Sequence, residues 1–109
     1  MYFIQKASEY SEIPASSIRY YEKINLLPAL KRNANGVRVF DDKDIEILKL
    51  VKCFRRLGMP IQEIRENISN INLEYERIDT NAILLQHKKS LEDQILILNS
   101  FIEEIDDKL

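Results

Sequence analysis

A chain of 109 residues with 31% charged and 45% hydrophobic side chains can build one small core and an appendage. No apolar run approaches the roughly 18 residues of a membrane span and no signal-peptide pattern opens the chain, so neither a membrane nor a secretory address is expected. A lone cysteine excludes an internal disulfide and fits a reducing cytoplasm. The formal net charge of −2 argues against a nucleic-acid binder until it is divided along the chain. Residues 1–70 hold 12 Lys/Arg against 9 Asp/Glu, whereas residues 71–109 hold 4 against 9. The positive potential therefore belongs to the first part, and the tail is acidic.

Phe3 to Tyr10 reads as a first helix with Phe3, Ile4 and Ala7 facing inward. Ser11-Glu12-Ile13-Pro14 makes the turn, with Ile13 plugging the core and Tyr10 packing. A second helix follows Pro14, whose preset φ suits a first turn. At 3.6 residues per turn, Ile18 and Tyr21 share one face. Ser16, Arg19 and Tyr20 share another, and Ser17 lies in the first turn. Hydroxyl, guanidinium and phenol groups suit phosphate oxygens and base edges in a DNA groove. The same face also reads as an ordinary solvated one.

After Leu26-Leu27-Pro28 come basic Lys31-Arg32, the turn Asn33-Ala34-Asn35-Gly36, and the alternating run Val37-Arg38-Val39-Phe40. Asn-Gly between β-capable runs is a strong hairpin signal. Lys31, Arg32 and Arg38, with Gly36 at the tip, place positive charge on a two-stranded ribbon. Two helices followed by a basic hairpin are the layout of a winged helix-turn-helix, with the hairpin as a wing on the DNA backbone.

Asp41 is the expected N-cap of a third helix, with Asp42 and Asp44 in its first turn. Ile45, Leu48, Val51 and Leu57, flanked by Ile47, Leu50 and Phe54, form its apolar stripe, and Gly58 stops it. Lys49, Lys52, Arg55 and Arg56 cover the rest. They read as solvated charges or, for Lys52, Arg55 and Arg56 together, as phosphate contacts beside the wing. Met59-Pro60 turns the chain into a fourth helix over 61–71, with Ile61, Ile64, Ile68 and Ile71 inward.

The expected organisation is a DNA-binding domain over 1–71, a polar linker over 72–79, and a long helix over 80–109. In that helix Leu84, Leu91, Leu98 and Ile105 recur every seven residues. Ile95, Ile102 and Leu109 fill the alternate seam position, whose earlier members are Asn81 and Lys88. A helix of about 45 Å cannot bury such a seam against so small a domain. It calls for a second helix, most simply its own copy. Leu96, Ile97 and Phe101 widen the stripe and are expected to pack against a DNA-binding domain. The fold class is mainly α.

Taken together, Ser-Ile-Arg-Tyr-Tyr-Glu, Asn-Leu-Leu-Pro, Lys-Arg-Asn-Ala-Asn-Gly-Val-Arg-Val-Phe and Leu-Gly-Met-Pro-Ile-Gln-Glu-Ile resemble the MerR family of bacterial transcription regulators. The family pattern is Thr-Leu-Arg-Tyr-Tyr-Glu, Gly-Leu-Leu, Asn-Gly-Tyr-Arg-x-Tyr and Leu-Gly-hydrophobic-x-Leu-x-Glu-Ile. The match runs over residues 3 to 71 in family order and spacing. Glu12 and Asn25 stand where the family usually has Gly. Val37 and Phe40 stand where it usually has Tyr, which removes two phenol hydroxyls from the wing.

The resemblance implies a homodimer joined by an antiparallel two-stranded coiled coil and bound to a pseudo-palindromic promoter operator. It further implies regulation by bending and untwisting DNA, so that RNA polymerase meets two promoter elements otherwise spaced too far apart. Cys53, beside Lys52 and one helical turn from Lys49 and Arg56, resembles the family's thiol-based aldehyde and electrophile sensors, since nearby cations favour a thiolate. The reading preferred on sequence grounds is a small hydrophobe in the core.

Cys53 and His87 lie too far apart in sequence to suggest a metal site. No metal or cofactor is expected, and His87 reads as a surface or seam-edge residue. Enzyme readings lack a phosphate-binding Gly loop or a nucleophile–His pair. Two other readings remain open at this point: an excisionase-like architectural DNA-binding protein, and a coiled-coil protein-interaction adaptor.

Overall fold

Helices α1 (Ile4–Ser11) and α2 (Ala15–Lys23) are joined by a turn that rests on one backbone angle. Glu12 ends α1 at φ +57°, and the chain reverses there. The Ile13 N–H donates to the Ser8 carbonyl at 3.3 Å, while the Ser8 hydroxyl donates to the Ile13 carbonyl at 2.6 Å. Ile13 is thereby buried, as its apolar character requires. Asn25, just past α2, takes φ +58°. These left-handed residues are the two that replace usual glycines. A side chain there costs about 1–2 kcal/mol, less for Asn, which tolerates this region better than Glu.

Phe3 does not face inward. It is the N-cap residue of α1 and is exposed, because the helix begins one residue later and its buried face runs through Ile4, Ala7 and Ser11. Tyr10 is half-exposed, its ring edge-on to Tyr2 at 5.1 Å.

Strands β1 (Lys31–Arg32) and β2 (Arg38–Val39) pair antiparallel, with Lys31 opposite Val39 and Arg32 opposite Arg38. The expected turn over Asn33-Ala34-Asn35-Gly36 joins them. Only Gly36 has positive φ, at +77°. Its N–H donates to the Asn33 carbonyl at 3.0 Å, and the Asn33 N–H donates to the Val37 carbonyl at 2.9 Å. This is a three-residue loop closed by a left-handed glycine. The Asn33 side chain stiffens it, accepting from the N–H groups of Asn35 and Val37 at 2.9 and 3.0 Å. Just past β2, Phe40 is fully buried and exchanges backbone hydrogen bonds of 2.7 and 2.8 Å with Tyr2.

Helix α3 (Asp42–Arg56) opens on a capping box. The Asp41 carboxylate accepts from the Asp44 N–H at 2.8 Å, and the Asp44 carboxylate accepts from the Asp41 N–H at 3.0 Å. Burial pushes the Asp44 carboxyl above its usual range. Burial pushes Asp41 upward too, but the Asp44 N–H and the Lys31 ammonium outweigh it and hold Asp41 lower than usual. At the far end Gly58 (φ +79°) and Met59 donate back to Arg55 and Phe54 at 3.1 and 3.0 Å, a glycine-terminated helix end. Leu57 therefore leaves the apolar stripe and is exposed, and Met59 is buried in its stead.

Helix α4 (Ile61–Ser69) buries Ile64 and Ile68. The Arg65 guanidinium donates to the Ile24 carbonyl at 2.7 Å, tying α4 to the end of α2. Ala7, Ile13, Ile18, Phe40, Ile45 and Leu48 form the central cluster.

This computed structural model describes residues 1–71 and 80–109, in two compact units, Met1–Glu76 and Arg77–Leu109. The linker expected over 72–79 lies outside the described residues. Helix α5 (Asn81–Lys108) has 28 residues, about 42 Å at 1.5 Å per residue. Leu84 is half-buried, while Leu91, Ile95, Leu98, Ile102 and Ile105 are exposed in the single chain, as are Leu96, Ile97 and Phe101. His87 is buried, not at the surface. Among the described residues, no helix is long and apolar enough to cross a membrane.

Candidate nucleic-acid interface

On α2, Ile18 is fully buried and Tyr21 packs half-buried against the core cluster. That fixes the rotation of the helix and turns Ser16, Arg19 and Tyr20 outward, with Ser17 partly covered. The exposed Tyr20 ring lies 6.3 Å from that of Tyr21, so a phenol rooted on the core side flanks the exposed face. Among the described residues, the Arg19 guanidinium makes no hydrogen bond or ion pair.

The wing residues are engaged instead. Lys31 pairs with Asp41 at 3.2 Å, which ties β1 to the cap of α3. Arg32 and Arg38 face each other in the ladder, an arrangement that is unfavourable by itself. Both donate to one carboxylate, Glu22 of α2, at 3.3 and 2.6 Å. Arg32 also donates to the Gly36 carbonyl at 3.0 Å. The structure thus brings the wing arginines together with the outward face of α2 through a residue that sequence reasoning did not single out. Its signal was present as a lone acid closing Arg-Tyr-Tyr-Glu ahead of a basic hairpin. Arg65 was missed as well, and a contact across 41 positions leaves no local trace.

On α3, Lys52 donates to the Glu12 carbonyl at 3.0 Å and lies 3.6 Å from its carboxylate, so it braces the left-handed turn. Arg55 and Arg56 are exposed in the last turn, where cations meet the negative helix end. Cys53 is exposed and not in the core, which overturns the packing role preferred from sequence. With Tyr10, Ser11, Glu12, Lys49, Lys52 and Arg56 it lines a concavity of about 400 Å³. No cluster of His, Cys, Asp or Glu suited to a metal occurs among the described residues.

Comparison with known proteins agrees with this geometry. The MerR HTH regulatory-protein family matches residues 2–71, and the MerR DNA-binding family matches residues 45–108. The HTH-type transcriptional regulator YyaN of Bacillus subtilis (strain 168) is 32% identical over 108 residues, spanning 99% of this chain and 78% of that protein. The crystal structure of a MerR family regulator from Listeria monocytogenes matches with a TM-score of 0.68 at 31% identity, covering 99% of this chain and 83% of the other. That of HiNmlR, a MerR family regulator lacking the sensor domain and bound to promoter DNA, matches with a TM-score of 0.65 at 29% identity, covering 94% and 78%. Neither the architectural nor the adaptor reading finds support among them. The chain belongs to the MerR family of helix-turn-helix transcription regulators, whose partner is promoter DNA and whose members are not enzymes.

Proposed function

We propose that two copies of the chain bind a pseudo-palindromic promoter operator and regulate transcription by bending and untwisting it. The observation that carries this reading is an Arg19 that makes no hydrogen bond or ion pair among the described residues, on a helix whose neighbouring carboxylate holds both wing arginines. In each half-site Ser16, Arg19 and Tyr20 meet base edges and nearby phosphates, with Ser17 and Tyr21 beside them. Lys31, Arg32, Arg38 and the Gly36 tip meet the backbone from the wing, and Lys52, Arg55 and Arg56 meet it from α3. Residues 1–71 act as the DNA-binding domain, 72–79 as linker and 80–109 as the dimerising helix. Leu84, Leu91, Ile95, Leu98, Ile102 and Ile105 form the coiled-coil seam. RNA polymerase, at the same promoter in the cytoplasm, reads the deformation.

Selection of bound duplexes from a random library near physiological salt tests this. An enriched inverted repeat is the expected result. Salt-sensitive binding without enrichment would reject sequence-specific regulation in favour of backbone binding alone.

The exposure of Cys53 among Lys49, Lys52 and Arg56 favours one addition, that the thiol takes up electrophiles and alters regulation. Cys53→Ser should leave operator affinity intact and abolish the transcriptional response to an added aldehyde. A preserved response retires the thiol.

A further inference from the structure

Arg32 and Arg38 converge on a single oxygen of Glu22, Oε1, and they do so unequally. The Arg38 Nε sits at 2.6 Å, and its side chain is 28% exposed. The terminal nitrogen of Arg32 sits at 3.3 Å, and its side chain is 46% exposed. Arg32 keeps a second hold on the Gly36 carbonyl, so it can leave Glu22 without losing every partner. Among the described residues, Arg38 makes no other side-chain hydrogen bond or ion pair. Glu22 lies three residues past Arg19, one helical turn along α2. The strands are only two residues long, too short to set the wing's angle by ladder hydrogen bonds alone.

We propose that Glu22 is a positioning residue for DNA recognition, with Arg38 as the fixed strut between α2 and the wing and Arg32 as the arm released to phosphate. The inference rests on the DNA-binding reading above and adds a division of labour between two arginines that look equivalent in sequence. On charge alone, a carboxylate beside a phosphate backbone opposes binding to any DNA. A residue kept there at that cost contributes through geometry, because it sets how the wing and the Arg19 face meet one duplex together.

Charge and positioning predict opposite signs, which makes the test direct. The full chain and its Glu22→Gln variant are titrated by fluorescence anisotropy against the selected operator and a scrambled duplex of equal length. Operator affinity should fall about tenfold, while affinity for the scrambled duplex stays level or rises. An equal shift on both duplexes would overturn the proposal. Arg38→Lys keeps the charge but loses the directed Nε–H, and it should reproduce the loss of discrimination. Unaltered discrimination in this variant would overturn the strut. The double variant should discriminate no worse than the poorer single variant, since both break one contact; additive losses would overturn the coupling. A wild-type chain that fails to prefer the operator would instead overturn the underlying DNA reading, and the same titration shows it.

Discussion

Leu98→Asp should turn the proposed dimer into monomers and remove high-affinity operator binding. In the proposed coiled coil Leu98 sits mid-seam on α5, and it is 58% exposed in the single chain, so its replacement leaves the core of the first unit intact. In a symmetric dimer the change is made twice. Burying a leucine side chain contributes about 1.5–3 kcal/mol, so two copies contribute about 3–6 kcal/mol. That raises the dimer dissociation constant by roughly a hundred- to ten-thousand-fold, and a carboxylate facing apolar neighbours adds to the loss. Sedimentation equilibrium reads the outcome directly, and a dimer that survives would remove Leu98 from the interface. Circular dichroism should show a partial loss of helix, because an isolated helix of this kind is marginal in water, while the first unit keeps its cooperative melt.

Arg19→Ala should produce the second large effect. The side chain is exposed and makes no hydrogen bond or ion pair among the described residues, so its removal leaves the thermal unfolding of the first unit unchanged. A bidentate contact to a base edge contributes about 1–3 kcal/mol, and a two-fold operator uses it twice. Operator binding should therefore weaken by about 2–6 kcal/mol, and the preference at the contacted base pair should relax. Equal weakening on every sequence would make Arg19 a phosphate contact. No weakening would place the interface elsewhere.

How much was legible in the sequence differs by the range of the forces involved. Local rules carried Asp41 as the cap of α3, Gly58 as its stop, and the outward turn of Arg19 opposite buried Ile18. The heptad gave the length and stripe of α5, because periodicity reports one face whatever lies against it. Two errors fell at element ends. Phe3 and Leu57 each sit one residue beyond a helix, where the 3.6-residue period no longer sets direction. The hairpin turn over Asn33-Ala34-Asn35-Gly36 was legible, but not the bracing of its loop by the Asn33 side chain. Cys53 is exposed because Val51 and Phe54 already supply the buried face of that turn. Glu22 and Arg65 act on residues 10 to 41 positions away, and no spacing rule reaches that far.

The paired backbones of Tyr2 and Phe40 carry a consequence for the order of assembly. Their two hydrogen bonds close a loop that contains α1, α2, β1 and β2, so the chain-entropy cost of that closure must be met before the wing is anchored. The helix-turn-helix, held by local contacts, can form first. The wing is then fastened late, by one buried ring, one backbone bridge and two carboxylates, Glu22 and Asp41. An element assembled last on so few ties is the first to open. Its amides should exchange with solvent well before those of α3 while the recognition helix stays closed. If the hairpin meets the phosphate backbone as proposed, it can thus adjust to a deforming duplex without loosening the helix that reads it.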